Sequence, residues 1–225
     1  MKRFLTVLFA VVSSLNIPAQ ETATLNQTEK EAILYMREEE KLARDVYNEM
    51  YEKWEVNPFG NIRQSEQYHM DRVKELITKY KLTDPVENNN DKRGLFSNPA
   101  FSNYYKDLVA SGSKSLTDAL KAGAKIEELD IADLEKRINA TENEEIISTY
   151  KYLKMASGNH LRAFIRNLTR QGIDYKPEIL SQEAYDAIIN SENSHEGHEG
   201  TKPGNGPGNG KGCGKGGGCG KNCNH

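Results

Sequence analysis

From about Thr28 to Asn190 apolar residues recur every three or four positions, and nowhere do they alternate with polar ones in a run bounded by turns. That period is the turn of an amphipathic helix, and the missing alternation argues against strands. Helix starts are marked by residues whose side chains satisfy orphan backbone donors. Thr28-Glu-Lys-Glu31 and Thr141-Glu-Asn-Glu144 fit a capping box, and Ser115-Leu-Thr-Asp118 is a shorter version. Asn98-Pro99 sets a cap residue before a proline at the first helical position. Stops fall at Asn57-Pro58-Phe59-Gly60, at Asp84-Pro85 with Asn88-Asn89-Asn90, at Gly112 and at Gly172. The pattern therefore predicts four long helices at about 29–56, 60–82, 115–139 and 142–171, with shorter ones at about 99–111 and 181–190. Two short links and one long crossover carrying a short helix are the connectivity of a ferritin-like four-helix bundle, so the expected class is all-α of that kind.

The two ends read differently. Lys2 and Arg3 precede an apolar run from Phe4 to Val12, then small and polar residues up to Pro18-Ala19-Gln20. This order predicts a secretory signal cut near Ala19 and a periplasmic or secreted product. The run is too short to span a bilayer, and no later segment is apolar enough. No cysteine lies near the cut, so no lipid anchor is expected. The expected division is 1–19 leader, 20–28 linker, 29–190 bundle and 191–225 tail. The tail is rich in glycine and polar residues and is expected to be disordered, because it cannot bury enough apolar surface to fold.

All three cysteines, Cys213, Cys219 and Cys223, lie in that tail, so the bundle cannot rely on disulfides. With His195, His198 and His225 they form a Cys/His tract whose donors suit copper or zinc, in spacings that match no compact zinc module. Loose metal capture and a plain linker with incidental thiols both stay open. A net charge of -3 over 225 residues, with no basic block, excludes nucleic acid as the expected partner. Metal ions are the expected partners, and a homodimer is an admissible assembly.

Polar residues interrupt the apolar stripes. On the first helix the stripe runs Ile33, Met36, Glu40, Ala43, Tyr47, and Glu40 sits in its middle. On the second, Glu66 and His69 share the face of Ile62 and Val73, since residues three apart point the same way. On the third, Glu127 and Asp130 lie between Leu120 and Leu134. On the fourth, Ser157 and His160 lie between Leu153 and Phe164. Several carboxylates buried together repel each other and need a positive charge. Few lysines or arginines occupy these stripes, and a divalent metal meets the need at once. Glu and His are suited to iron, manganese or zinc. The alternative is a structural bundle whose buried histidines bond to Tyr47, Tyr150 or serine.

Four segments resemble a bacterial and archaeal ferritin-like family of unknown function. They are Arg37-Glu-Glu-Glu40-Lys-Leu-Ala-Arg44-Asp-Val-Tyr47, Ser65-Glu66-Gln-Tyr-His69, Ile126-Glu127-Glu128-Leu-Asp130-Ile131 and Ser157-Gly-Asn-His160-Leu-Arg-Ala-Phe164. The likeness covers nearly all of 30–185. It implies a ferritin-like bundle but no known reaction. The wider superfamily, with its ferritins, rubrerythrins and related di-iron proteins, binds metal through Glu, Glu-x-x-His, Glu and Glu-x-x-His on successive helices. By that resemblance Glu40, Glu66, His69 and Glu127 take ligand positions, with Glu128 as the alternative to Glu127. Tyr47 resembles a tyrosine kept near the metal. Ser157 departs from the pattern, because a Glu is expected three residues before His160. Either Asp130 compensates, or the second metal is weak or absent, so one or two ions are expected. The functions consistent with this are iron-dependent oxidation by oxygen or peroxide, non-enzymatic metal sequestration, or a bundle without metal.

Overall fold

The computed structural model describes residues 24–191; the expected leader and the Cys/His tract lie outside them. Among the described residues there are seven α-helices and no strand. They are α1 (Gln27–Trp54), α2 (Phe59–Lys79), α3 (Pro85–Asn88), α4 (Pro99–Gly112), α5 (Leu116–Ile138), α6 (Glu144–Arg170) and α7 (Gln182–Asn190). None is long and apolar enough to cross a membrane.

The caps explain the boundaries and correct two of the expected starts. The capping box of α1 is built by Asn26 and Glu29, each accepting the other's backbone N–H at 2.9 Å. It lies two residues before the expected Thr28 box, because Asn caps at least as well as Thr. At α6 the cap is Asn143, whose amide oxygen accepts from the N–H groups of Glu145 and Ile146. Thr141 instead donates to Glu29, pinning the α5–α6 turn to the start of α1. Ser115 and Asn98 cap α5 and α4 as their sequences predict. Asp84-Pro85 does more than stop a helix. Asp84 accepts from Val86 N–H and opens the single turn α3.

Packing of α1 on α2 and of α5 on α6, with α1–α5 and α2–α6 contacts, draws the four long helices into one bundle. The crossover elements α3 and α4 lie against α1, α4 also against α5, and α7 covers α6. Two apolar clusters fill the interior. One contains Leu42, Tyr47, Phe59, Leu161 and Phe164; the other contains Ile33, Met36, Val73, Ile146 and Leu153. On α1, α2 and α6 the polar stripe residues fall between them.

The sequence pattern misses how deeply α1 is wrapped. Every residue from Met36 to Tyr47 is buried, including a run of charges that amphipathic spacing would leave in solvent. In this run Arg37, Glu38, Lys41, Arg44 and Asp45 each have an ion-pair or hydrogen-bond partner. Arg37 pairs with Asp84 at 3.0 Å and donates to the Met70 carbonyl at 2.7 Å. Glu38 accepts the backbone N–H groups of Ser97 and Asn98. Lys41 is fully buried between Asp45 and the Lys92 carbonyl. Asp45 also takes Arg44 and the Gly94 N–H, 2.9 Å away. The crossover thus covers the outer face of α1 with polar groups matched to its charges.

Candidate metal centre

Helical spacing delivers the site. Glu40 comes from α1, Glu66 and His69 from one face of α2, Glu127 from α5 and His160 from α6. All five are buried. Glu66 stands between the two imidazoles. Its Oε2 lies 2.8 Å from His69 Nδ1 and its Oε1 lies 2.9 Å from His160 Nδ1. Each imidazole has a second carboxylate on the same nitrogen: Glu40 Oε2 at 3.2 Å from His69, and Glu127 Oε2 at 3.5 Å from His160. The rings are nearly parallel, with centroids 5.5 Å apart. Two triplets result, Glu40–Glu66–His69 and Glu66–Glu127–His160. In each, one ligand atom per residue lies within 4.8 Å of the others. These groups are positioned to hold metal ions, and Glu66 is common to both sets.

Supporting groups hold the donors in place. Ser65 Oγ lies 3.4 Å from His69 Nε2 and 3.0 Å from His160 Nε2, which turns both Nδ1 atoms toward Glu66. Sequence reasoning gave Ser65 no role. Its signal was the four-residue spacing to His69, which puts both on one face. Tyr47 donates to Glu127 Oε1 at 2.6 Å, leaving Oε2 toward His160. Tyr47 therefore does not serve a histidine, and neither does Tyr150, whose hydroxyl has no partner. Of the two adjacent acids, Glu127 is the one that lies beside His160. Glu128 accepts the Tyr175 hydroxyl and the backbone N–H groups of Glu178, Ile179 and Leu180, so it anchors the segment before α7.

Asp130 and Ser157 are brought together beside the centre, not into it. The Ser157 hydroxyl sits between the Asp130 carboxylate and the Leu153 carbonyl, and Asp130 belongs to neither triplet. Its Oδ1 faces no hydrogen-bond partner.

The electrostatics follow from burial and crowding. Burial pushes Glu40 up to about 7, against the pull of His69. Burial also drives Glu127 and Asp130 upward. Glu66 is the exception: burial works against its charge, but His160 and His69 together hold it below the usual carboxylate range. Burial disfavours the charged imidazoles, yet the flanking carboxylates overcome it. They raise His69 well above its ordinary value and His160 to about 10. The flanking carboxylates thus favour the protonated form of both imidazoles.

Whether a metal fits better than protons is tested by what the protons leave unserved. Glu40 Oε1, Glu66 Oε1 and His160 Nδ1 are buried without a hydrogen bond of good geometry, although the last two are neighbours. Among the described residues, the ion pairs of Glu40, Glu66 and Glu127 are with histidine alone; no arginine or lysine clasps them. The donor set of carboxylate oxygen and imidazole nitrogen is one that divalent transition metals accept.

Residues 29–192 match the family described as "Uncharacterized protein domain (DUF2202)". A relative, "Uncharacterized protein MJ0754" of Methanocaldococcus jannaschii, is 54% identical over 167 residues, 74% of this chain and 89% of its own length. The crystal structure of hypothetical protein MJ0754 is similar at a TM-score of 0.75 and 52% identity, covering 78% of this chain and 99% of that one.

Proposed function

We propose, for a chain that belongs to the DUF2202 family, that it is a metal-binding protein holding two divalent transition-metal ions in a ferritin-like bundle. One ion is held by Glu40, Glu66 and His69, the other by Glu66, Glu127 and His160. The observation that carries this reading is the shared carboxylate: two buried ligand triplets meet at Glu66, one oxygen toward each histidine. Carboxylate-bridged pairs of this kind are built in bundle interiors from facing helices. The two long hairpins, α1–α2 and α5–α6, and the long crossover between them support the ferritin-like reading.

Iron or manganese bound here would supply redox chemistry toward oxygen or peroxide. The chain's own contribution is arrangement. Ser65 fixes both imidazoles by their outer nitrogens, and Tyr47 fixes Glu127, the kind of outer contact that sets ligand orientation and affinity. Asp130, held to one side by Ser157, stands outside both triplets, so the carboxylate that position 157 lacks is not replaced within them. Export, with cleavage near Ala19, is part of the proposal and rests on the charge and apolar order of residues 2–20.

The test is elemental analysis of the protein purified without chelators. Two ions per chain are expected. A chain that carries no ion, and takes up none on adding ferrous iron or manganese, would be a structural bundle. Oxygen uptake on adding ferrous iron then separates an oxidase from a metal store.

A further inference from the structure

The centre does not account for every polar group buried in the bundle. Eight buried side-chain atoms among the described residues lack a hydrogen-bond partner; three belong to Glu40, Glu66 and His160 of the centre, and the other five to Glu39, Asp130, Arg137 and Tyr150. Glu39 is the most conspicuous. It is 2% exposed, and neither carboxylate oxygen is bonded. Burying such a group without a partner costs several kcal/mol, so the position demands a reason.

Its charged neighbours are Asp130, Asp133, Arg137 and Glu40, so acids outnumber bases three to one. Toward the centre, Asp130 Oδ1 and Glu40 Oε1 are open. Away from it, Arg137 Nε and the Tyr150 hydroxyl are buried and also open. These two residues line a cavity of about 80 Å³, room for a few waters, which reaches the surface at Thr28, Lys136 and Ala140. Arg137 is stacked over the Tyr35 ring at 4.0 Å and so is held aside from Glu39's oxygens.

We infer that the cavity beside Tyr150 is the mouth of an access path by which a divalent cation reaches the paired site, with Glu39 as its transient ligand on the way. This rests on the metal reading above. Glu39 belongs to neither triplet, which suits a group that passes an ion on instead of keeping it. Its unbonded oxygens are what a partly hydrated ion needs when it leaves the cavity, and Asp130 Oδ1 and Glu40 Oε1 are the next acceptors inward.

The test uses the full chain, stripped of metal, in three forms: wild type, Glu39→Gln and Ala140→Trp. Gln keeps the shape of Glu39 and replaces one carboxylate oxygen with an amide that cannot ionise. Ala140 is exposed, so Trp there crowds the mouth without entering the core. Cobalt(II) is mixed with each protein, free ion is followed with a fluorescent chelator, and bound ion at the end point is measured by elemental analysis. Both variants should finish with the wild-type stoichiometry but load about tenfold slower or more, equivalent to a barrier higher by about 1.4 kcal/mol. Wild-type loading rates in both variants would overturn the path. So would a Glu39→Gln protein that binds fewer ions while Ala140→Trp loads at full speed, which would make Glu39 a permanent ligand. If wild type takes up no cobalt at all, the metal reading falls and the path with it.

Discussion

In the proposed two-ion centre Glu66→Gln should cost both ions, and the position of Glu66 says why no other single ligand change should. Glu66 Oε2 faces His69 at 2.8 Å and Oε1 faces His160 at 2.9 Å, so each triplet loses a member when that carboxylate goes. Gln keeps the volume and one carbonyl oxygen but removes the charge shared by two cations. Removing an outer partner of a metal ligand already weakens binding by about 10–100-fold. Loss of a direct ligand should exceed that, so each ion should bind at least ~100-fold more weakly, about 2.7 kcal/mol. By contrast, His69→Ala and His160→Ala each touch one triplet and should leave one ion of the two. The assay is metal content after dialysis against a weak chelator, with cobalt(II) titration for affinity and circular dichroism to confirm folding. A Glu66→Gln protein that keeps two ions, or a His160→Ala protein that loses both, would refute the shared-carboxylate argument.

Three further outcomes are expected. In the metal-free protein His160 is raised from 6.5 to about 10 and Glu40 from 4.5 to about 7. Both bind a proton more tightly folded than unfolded, so their stabilisation is complete below the unfolded values and fades as pH rises through about 7 and then about 10. In chelator, the thermal midpoint should therefore fall between pH 6 and 10.5, and a flat or rising profile would contradict this. Glu128→Ala should destabilise the fold by ~3–5 kcal/mol in chemical denaturation, because it strands a tyrosine hydroxyl and three backbone N–H groups, while metal content at low temperature stays at the wild-type value. Gly123→Ala would set a Cβ about 2.4 Å from the Phe164 ring, which is packed against Tyr47, and should cost ~1–3 kcal/mol by overpacking. An unchanged denaturation midpoint for Gly123→Ala would show that the ring moves aside freely.

Much of the helix layout was legible because capping and breaking are local. Asn98-Pro99 and Ser115-Leu-Thr-Asp118 give their helix starts within a few residues of chain. Where two good caps lie close together the pattern alone could not choose, as at Asn26 against Thr28 and Asn143 against Thr141; the observed pairs were decided by reach and by the Thr141–Glu29 contact across the bundle. Glu40, Glu66, His69, Glu127 and His160 were legible as interruptions of apolar stripes. Their mutual geometry, with Glu66 at the centre, was not, since it depends on how the helices rotate against one another. Asp130 shares the Glu127 stripe, yet its contact with Ser157 holds it to one side. Glu39 was invisible by spacing. It lies off the stripe of α1, and it becomes interior only because the rest of the molecule closes over that helix.

That enclosure bears on how accurately the donors can be aligned. Slide α1 by one turn and Arg37 abandons Asp84, Glu38 abandons the amides at Ser97 and Asn98, and Lys41 abandons the Lys92 carbonyl. Greasy side chains alone would tolerate such a slip, since one aliphatic group replaces another at little penalty. Ionic groups sealed from water do not, because each displaced one becomes a stranded charge. The run from Arg37 to Asp45 thus acts as a set of teeth that admits one alignment, and it is this indexing that sets Glu40 opposite His69 rather than a turn away.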